Sequence, residues 1–144
     1  MSVILFEDEN LSIFYYEDRD YLLLKWNGFI AGETFRALGN EILGAIDKVK
    51  TQRVLSDNTN WKTIVPNDLG WAANTWFPEA EKRGVKLLAT VLSADYFNRA
   101  AERTIEGLAD VEEMQIRNFV SGEEALSWLL RNEVVERPGT AHFS

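Results

Sequence analysis

The sequence predicts an α/β fold: a five-stranded mixed sheet that begins with an N-terminal antiparallel hairpin and continues through helical crossovers. Three observations carry this. Leu11–Tyr16 and Tyr21–Trp26 are aromatic and β-branched runs separated by Glu17-Asp18-Arg19-Asp20, a polar connection of hairpin length. After them, strand-length apolar runs alternate with segments whose apolar residues recur every three or four positions, the signature of strand–helix units around a parallel sheet. The chain has 144 residues, which normally make one domain that buries roughly 70% of the surface its unfolded form exposes.

The elements follow in order. Asn27-Gly28 ends the second strand. Phe35, Leu38, Ile42, Ile46 and Val49 then place a helix over Gly32–Val49. Gly39 and Gly44 inside it each cost up to about 1 kcal/mol relative to Ala, so a close packing contact is expected at both. Arg53-Val54-Leu55 is a short strand expected to stop near Asp57, where Ser56-Asp57-Asn58-Thr59-Asn60-Trp61 reads as a cluster of turn-formers. Asn67 can cap a second helix, with Leu69, Ala72, Ala73, Trp76, Phe77 and Ala80 on one face and Gly84 at its end. Pro78 removes the backbone donor that would reach Asn74, so a kink or break is expected there.

Val85–Leu92 is a near-continuous apolar run, as in a buried parallel strand. Ser93 then caps a helix carrying Phe97, Ala100, Ala101, Thr104 and Leu108. Met114–Val120 alternates as a strand, and Ser121-Gly122-Glu123-Glu124 fits a capping box before a last helix with Ala125, Leu126, Trp128, Leu129 and Leu130. Residues 1–132 thus form one domain, and 133–144, with Pro138-Gly139 and scattered charge, are expected to be a loose tail. No internal repeat or inter-domain linker is apparent.

Composition excludes several chemistries. There is no cysteine, hence no disulfide, thiolate nucleophile, iron–sulfur cluster or cysteine-ligated zinc. The net charge of −8 argues against nucleic acid and anionic membranes as partners, because those affinities are built from Lys and Arg. Residues 1–8 lack the basic segment and long apolar run of a signal peptide, and no stretch approaches the roughly 18 apolar residues of a spanning helix. A cytoplasmic protein without membrane insertion is the expectation.

The initial hairpin, the Val54-Leu55-Ser56-Asp57-Asn58 strand end, the Pro66…Trp71…Trp76-Phe77-Pro78 helix and the Gly84-Val85-Lys86 turn into a strand together resemble the STAS / SpoIIAA-like domain family, anti-sigma-factor antagonists and their relatives. The chain is most similar to the small stand-alone bacterial members of unassigned role, from roughly Leu5 to Leu130. The resemblance implies a one-directional β-α superhelix and regulation by partner-protein binding. In the best-known members a Ser in an Asp-Ser-Ser-Gly-Leu type motif, at the start of the helix after the third strand, is phosphorylated. Here Pro66-Asn67-Asp68-Leu69-Gly70 stands at that place and offers no hydroxyl, so the phosphoswitch does not carry over. Ser56 and Thr59 are the acceptors that remain upstream.

No catalytic set assembles from the residues. His142 is the single histidine, in the expected tail, and a Ser-His-Asp arrangement needs an imidazole beside its nucleophile. No Asp-x-Asp-x-Asp-Gly loop, Walker sequence or G-x-G-x-x-G is present, so no metal and no cofactor is expected, and the chain is expected not to be an enzyme. Glu112-Glu113 and Glu123-Glu124 read as a solvated edge and a helix N-terminus. The polar concentration at a suggestive place is Ser56, Asp57, Asn58, Thr59 and Asn60, because open α/β sheets bind ligands beyond the carboxyl ends of their strands. Against that, Asp and Asn also cap turns by bonding their own backbone. Trp26, Trp76 and Trp128 sit on apolar faces and read as core. Trp61, in a polar segment, and Trp71, off the apolar stripe, are candidates for exposed interface anchors.

The leading expectation is a non-enzymatic regulatory or protein-binding module that meets an unknown protein partner through Asp57–Trp61 and Trp71. The alternative is a carrier of a small apolar ligand held between the second helix and the sheet, with Trp76 and Phe77 lining the pocket. The candidate ligand- or partner-binding residues are Ser56, Asp57, Asn58, Asn60, Trp61, Trp71 and Trp76. A homodimer is also expected. Parity in the first two strands groups Phe14 and Tyr16 with Leu22, Leu24 and Trp26, and Ile13 and Tyr15 with Tyr21 and Leu23. Both sheet faces are then apolar, and helices winding in one direction cover only one of them.

Overall fold

Six strands form one sheet in the order of the chain, β1-β2-β3-β4-β5-β6, in the computed structural model, which describes residues 2–131. The strands are β1 (Ser2–Glu7), β2 (Leu11–Tyr16), β3 (Tyr21–Phe29), β4 (Arg53–Thr63), β5 (Leu87–Val91) and β6 (Gln115–Phe119). The first three pair antiparallel, and β3 through β6 pair parallel. The sheet has six strands rather than the expected five because the Val3-Ile4-Leu5-Phe6 run pairs with β2 as an edge strand, with a register break between Ile4 and Phe6. The expected tail 133–144 and His142 lie outside the described residues.

Helix α1 spans Gly32–Val49, as its apolar period predicts. It ends on Lys50, whose backbone is left-handed at φ 56° and whose N–H donates to the Ile46 carbonyl at 2.7 Å. No side chain caps its own N-terminus. The Asp68 carboxylate reaches across from the next helix instead and accepts from the Gly32 N–H at 3.0 Å. That next helix is one rod in three parts: α2 (Pro66–Trp71), a π-helical turn (Ala72–Trp76) and α3 (Phe77–Lys82). Pro66, not Asn67, opens it, since the first helical position needs no amide donor. The irregularity expected at Pro78 lies in the turn before it: the Phe77 N–H bonds the Ala72 carbonyl five residues back.

The π turn has a packing consequence. Residues five apart on a regular α-helix point about 140° away from each other. One extra residue in the turn brings Trp71 and Trp76 onto the same side, and both press on Gly39 of α1, where an added Cβ would lie 2.9 Å from Trp71 Cη2 and 3.1 Å from Trp76 Cδ1. The Trp76 indole N–H also donates to the Gly39 carbonyl at 2.8 Å. The expectation for Gly39 holds. At Gly44 a Cβ would meet nothing within 4 Å, so no packing reason exists there.

Helices α4 (Tyr96–Leu108) and α5 (Gly122–Arg131) are the last two among the described residues. Ser93 precedes α4 by three residues and braces the loop, accepting from the Asp95 N–H at 3.1 Å and donating to the Trp61 carbonyl at 2.9 Å. Ser121 caps α5, its hydroxyl accepting from the Glu124 N–H at 3.3 Å. The crossover helices gather on one face over Leu22, Leu24, Trp26, Val54 and Leu88. The other face is covered by α5, which packs Ala125, Trp128 and Leu129 on Tyr21, Leu55, Leu87, Ala89 and Val91.

Register across the hairpin overturns the expected parity grouping. Tyr16 pairs with Tyr21, so Phe14 faces the same side as Leu23, and Ile13 the same side as Leu24. Even positions of β2 therefore share a face with odd positions of β3. With α5 in place, the apolar surface left open is a strip on β1–β3, where Ile4 is 56% exposed beside half-buried Phe14 and Leu23.

Candidate functional site

The site begins where β5 ends and β4 does not. β5 pairs with β4 only along Arg53–Asp57, whereas β4 runs on beside β3 to Thr63. The expected stop near Asp57 is therefore a correction: the polar run is strand, and its alternation sends Ser56 and Asn58 inward and Asp57 and Thr59 to the other side. The overhang, α1, the kinked helix and Glu102 of α4 line a half-open cavity of about 100 Å³ at the carboxyl ends of the parallel strands.

Its walls are mostly rings. Trp26, Phe35, Trp61, Trp76 and Phe77 line it together with Leu24, Ile42, Leu69 and Leu88. Trp61 lies against both Trp26, with centroids 4.5 Å apart, and Phe35, at 5.4 Å, while Trp76 and Phe77 meet edge to face at 5.1 Å. These contacts fix the rings through one another, so the wall is largely preformed.

Its floor is polar and connected. The Trp26 indole N–H donates to Ser56 Oγ at 3.1 Å, and the Ser56 hydroxyl donates to Asn58 Oδ1 at 2.7 Å. Asn58 Nδ2 donates to Glu102 Oε2 at 2.6 Å, and the Ser93 N–H holds the other carboxylate oxygen at 3.0 Å. Asn118 Nδ2 donates to the Glu102 carbonyl at 3.3 Å. Burial pushes the Glu102 carboxyl above the usual range, against the Ser93 N–H, the Asn58 amide and the Arg99 charge, which pull the other way. Thr90 also lines the cavity from β5, and Asp68 from α2.

Of the candidate residues, Ser56, Asn58, Trp61 and Trp76 converge on the cavity and are all buried. Trp61 is 7% exposed, so it is a wall of the pocket and not an exposed anchor. Asp57 lies on the opposite side of β4 and accepts from the backbone N–H and hydroxyl of Thr59, at 3.0 and 2.5 Å. Asn60 is exposed, and Trp71 is half-buried against Phe35 at 5.6 Å with the Arg36 guanidinium over its ring at 5.7 Å. Ser56 is hydrogen-bonded on both sides inside the protein, whereas Thr59 is exposed.

Glu102, Thr90 and Phe35 escaped the reading of the sequence as site residues. Phe35 carries the signal of a core position only. Thr90 is one polar residue in an apolar strand, and that interruption was the available sign. Glu102 carries none, because its burial depends on Asn58, 44 positions away. Among the described residues no group of three or more His, Asp or Glu side chains is placed to hold a metal ion, and no helix is long and apolar enough to cross a membrane.

No protein-family model and no curated protein matches the chain. Among solved structures, it is similar to an uncharacterised protein of the DUF3478 family from Shewanella loihica PV-4, described as having a SpoIIAA-like fold. The TM-score is 0.51 at 18% identity, and the match covers 90% of this chain and 92% of the other. The likeness is one of fold, and the present chain has that SpoIIAA-like fold, as its hairpin and one-directional crossovers led us to expect.

Proposed function

We propose that the protein is a non-enzymatic regulatory module that binds a small organic molecule in the cavity between the kinked second helix and the sheet. One observation carries this: a ring-walled pocket with a connected polar floor at the carboxyl ends of the parallel strands. Pockets of that make-up, apolar with a few convergent polar groups, are the usual form of small-molecule sites. The Ser56 proton is directed at an amide oxygen rather than at a base, which supports binding over nucleophilic catalysis. The fold likeness supports a regulatory role by analogy alone. A protein partner would then read the liganded state, and Asn60 and Thr59, exposed on the β4 overhang, are where it would meet the protein.

Tryptophan fluorescence tests the reading, since Trp26, Trp61 and Trp76 all line the cavity. Small amphiphiles should shift the emission saturably in the native protein. Ala72→Leu, which adds carbon to a lining position, should abolish the response while leaving the melting temperature within a few degrees. An unchanged response in a folded Ala72→Leu protein would place the ligand elsewhere.

A further inference from the structure

The cavity is charged on one side only. Asp68 and Glu102 line it, each 4% exposed, and among the described residues no Lys, Arg or His does. Arg99, the cation whose charge acts on Glu102, has its Nε engaged with the Ser93 carbonyl at 2.8 Å and is not part of the lining. Five rings, Trp26, Phe35, Trp61, Trp76 and Phe77, share the lining with aliphatic side chains, and the face of such a ring carries the negative side of its quadrupole. Thr90 adds a further observation: it brings a hydroxyl to the lining and is 8% exposed.

We propose that the occupant is a small organic cation, an alkylated ammonium bearing a hydroxyl or similar hydrogen-bonding group, held by the ring faces, Asp68 and Glu102, with Thr90 bonding its polar substituent. This rests on the reading of the cavity as a ligand site. Recognition of alkylated ammonium ions by stacked rings is a recurrent use of the cation–π attraction, and it is strongest where water is excluded. An anion would face two buried carboxylates with no Lys, Arg or His in the lining among the described residues. A neutral hydrocarbon would engage neither carboxylate nor the Thr90 hydroxyl. Room remains on the acceptors: an ionised carboxylate offers about four lone-pair sites, and among the described residues Glu102 receives the Asn58 and Ser93 donors.

The test is a calorimetric titration of the full chain with three probes of similar shape: choline, its uncharged carbon isostere dimethylbutanol, and the anion trimethylacetate. Choline should bind at least about tenfold more tightly than dimethylbutanol, and trimethylacetate should be the weakest. In Glu102→Gln the choline preference should collapse toward parity, and Thr90→Val should weaken choline without inverting the order. Dimethylbutanol binding as well as choline would overturn the cation while leaving the ligand site intact. Absence of binding by all three at millimolar concentration would overturn both. The wild-type ratio decides the matter even if Glu102→Gln does not fold.

Discussion

The Asn58 side chain donates to the Glu102 carboxylate at 2.6 Å, tying the overhanging end of β4 to α4 and closing the floor of the cavity. Because burial raises the Glu102 pKa above its ordinary 4.5, the protonated form favours the folded state. That contribution is complete below the ordinary value and is lost as pH rises through the raised one. The melting temperature of Glu102→Gln minus that of wild type should therefore increase from acidic pH toward neutrality. Parallel curves for the two proteins would mean that Glu102 titrates as it does in the unfolded chain.

How far this site was legible in the sequence depends on where polar residues point. α1 was readable to its ends because its apolar stripe meets the sheet. The β4 overhang was not: Ser56 and Asn58 face inward, but toward a cavity, and inward polar residues have the composition of a loop. Trp61 looked exposed for the same reason. β1 was readable as apolar, yet nothing within its six residues says whether they pair with β2 or fold across a face. The parity error arose because grouping even positions with even ones assumes a register that the hairpin connection does not supply.

Gly39 and Gly44 lie in the same helix and should respond oppositely to alanine. Gly44→Ala meets open space and should stabilise by about 0.5–1 kcal/mol through helix propensity. Gly39→Ala drives a methyl into Trp71 and Trp76, and Trp76 is held by its bond to the Gly39 carbonyl, so overpacking of about 1–3 kcal/mol should prevail. Chemical denaturation of the two variants checks the pair. Equal effects would contradict the π-turn packing.

Asp68 caps α1 from a different helix, through the Gly32 N–H. Asp68→Ala should cost about 1–2 kcal/mol by leaving that donor without its acceptor, and Asp68→Asn should recover much of the loss. Denaturant midpoints at constant m-value provide the measurement.

A homodimer is expected to use the apolar strip on β1–β3, since α5 occupies the rest of that face. In sedimentation equilibrium at micromolar concentration, wild type should run heavier than 16.5 kDa, and Ile4→Lys should return it to that mass. A wild-type protein already at the monomer mass, unchanged by salt, contradicts self-association.

The central claim is that the cavity between the kinked helix and the sheet is occupied in the cell by a small molecule. Native mass spectrometry of protein purified gently from its own host tests it most directly, with Ala72→Leu prepared in parallel. A discrete added mass is expected on the wild-type chain and not on a folded Ala72→Leu chain. The same adduct on both proteins, or a bare chain in both that ignores every added probe, would contradict it.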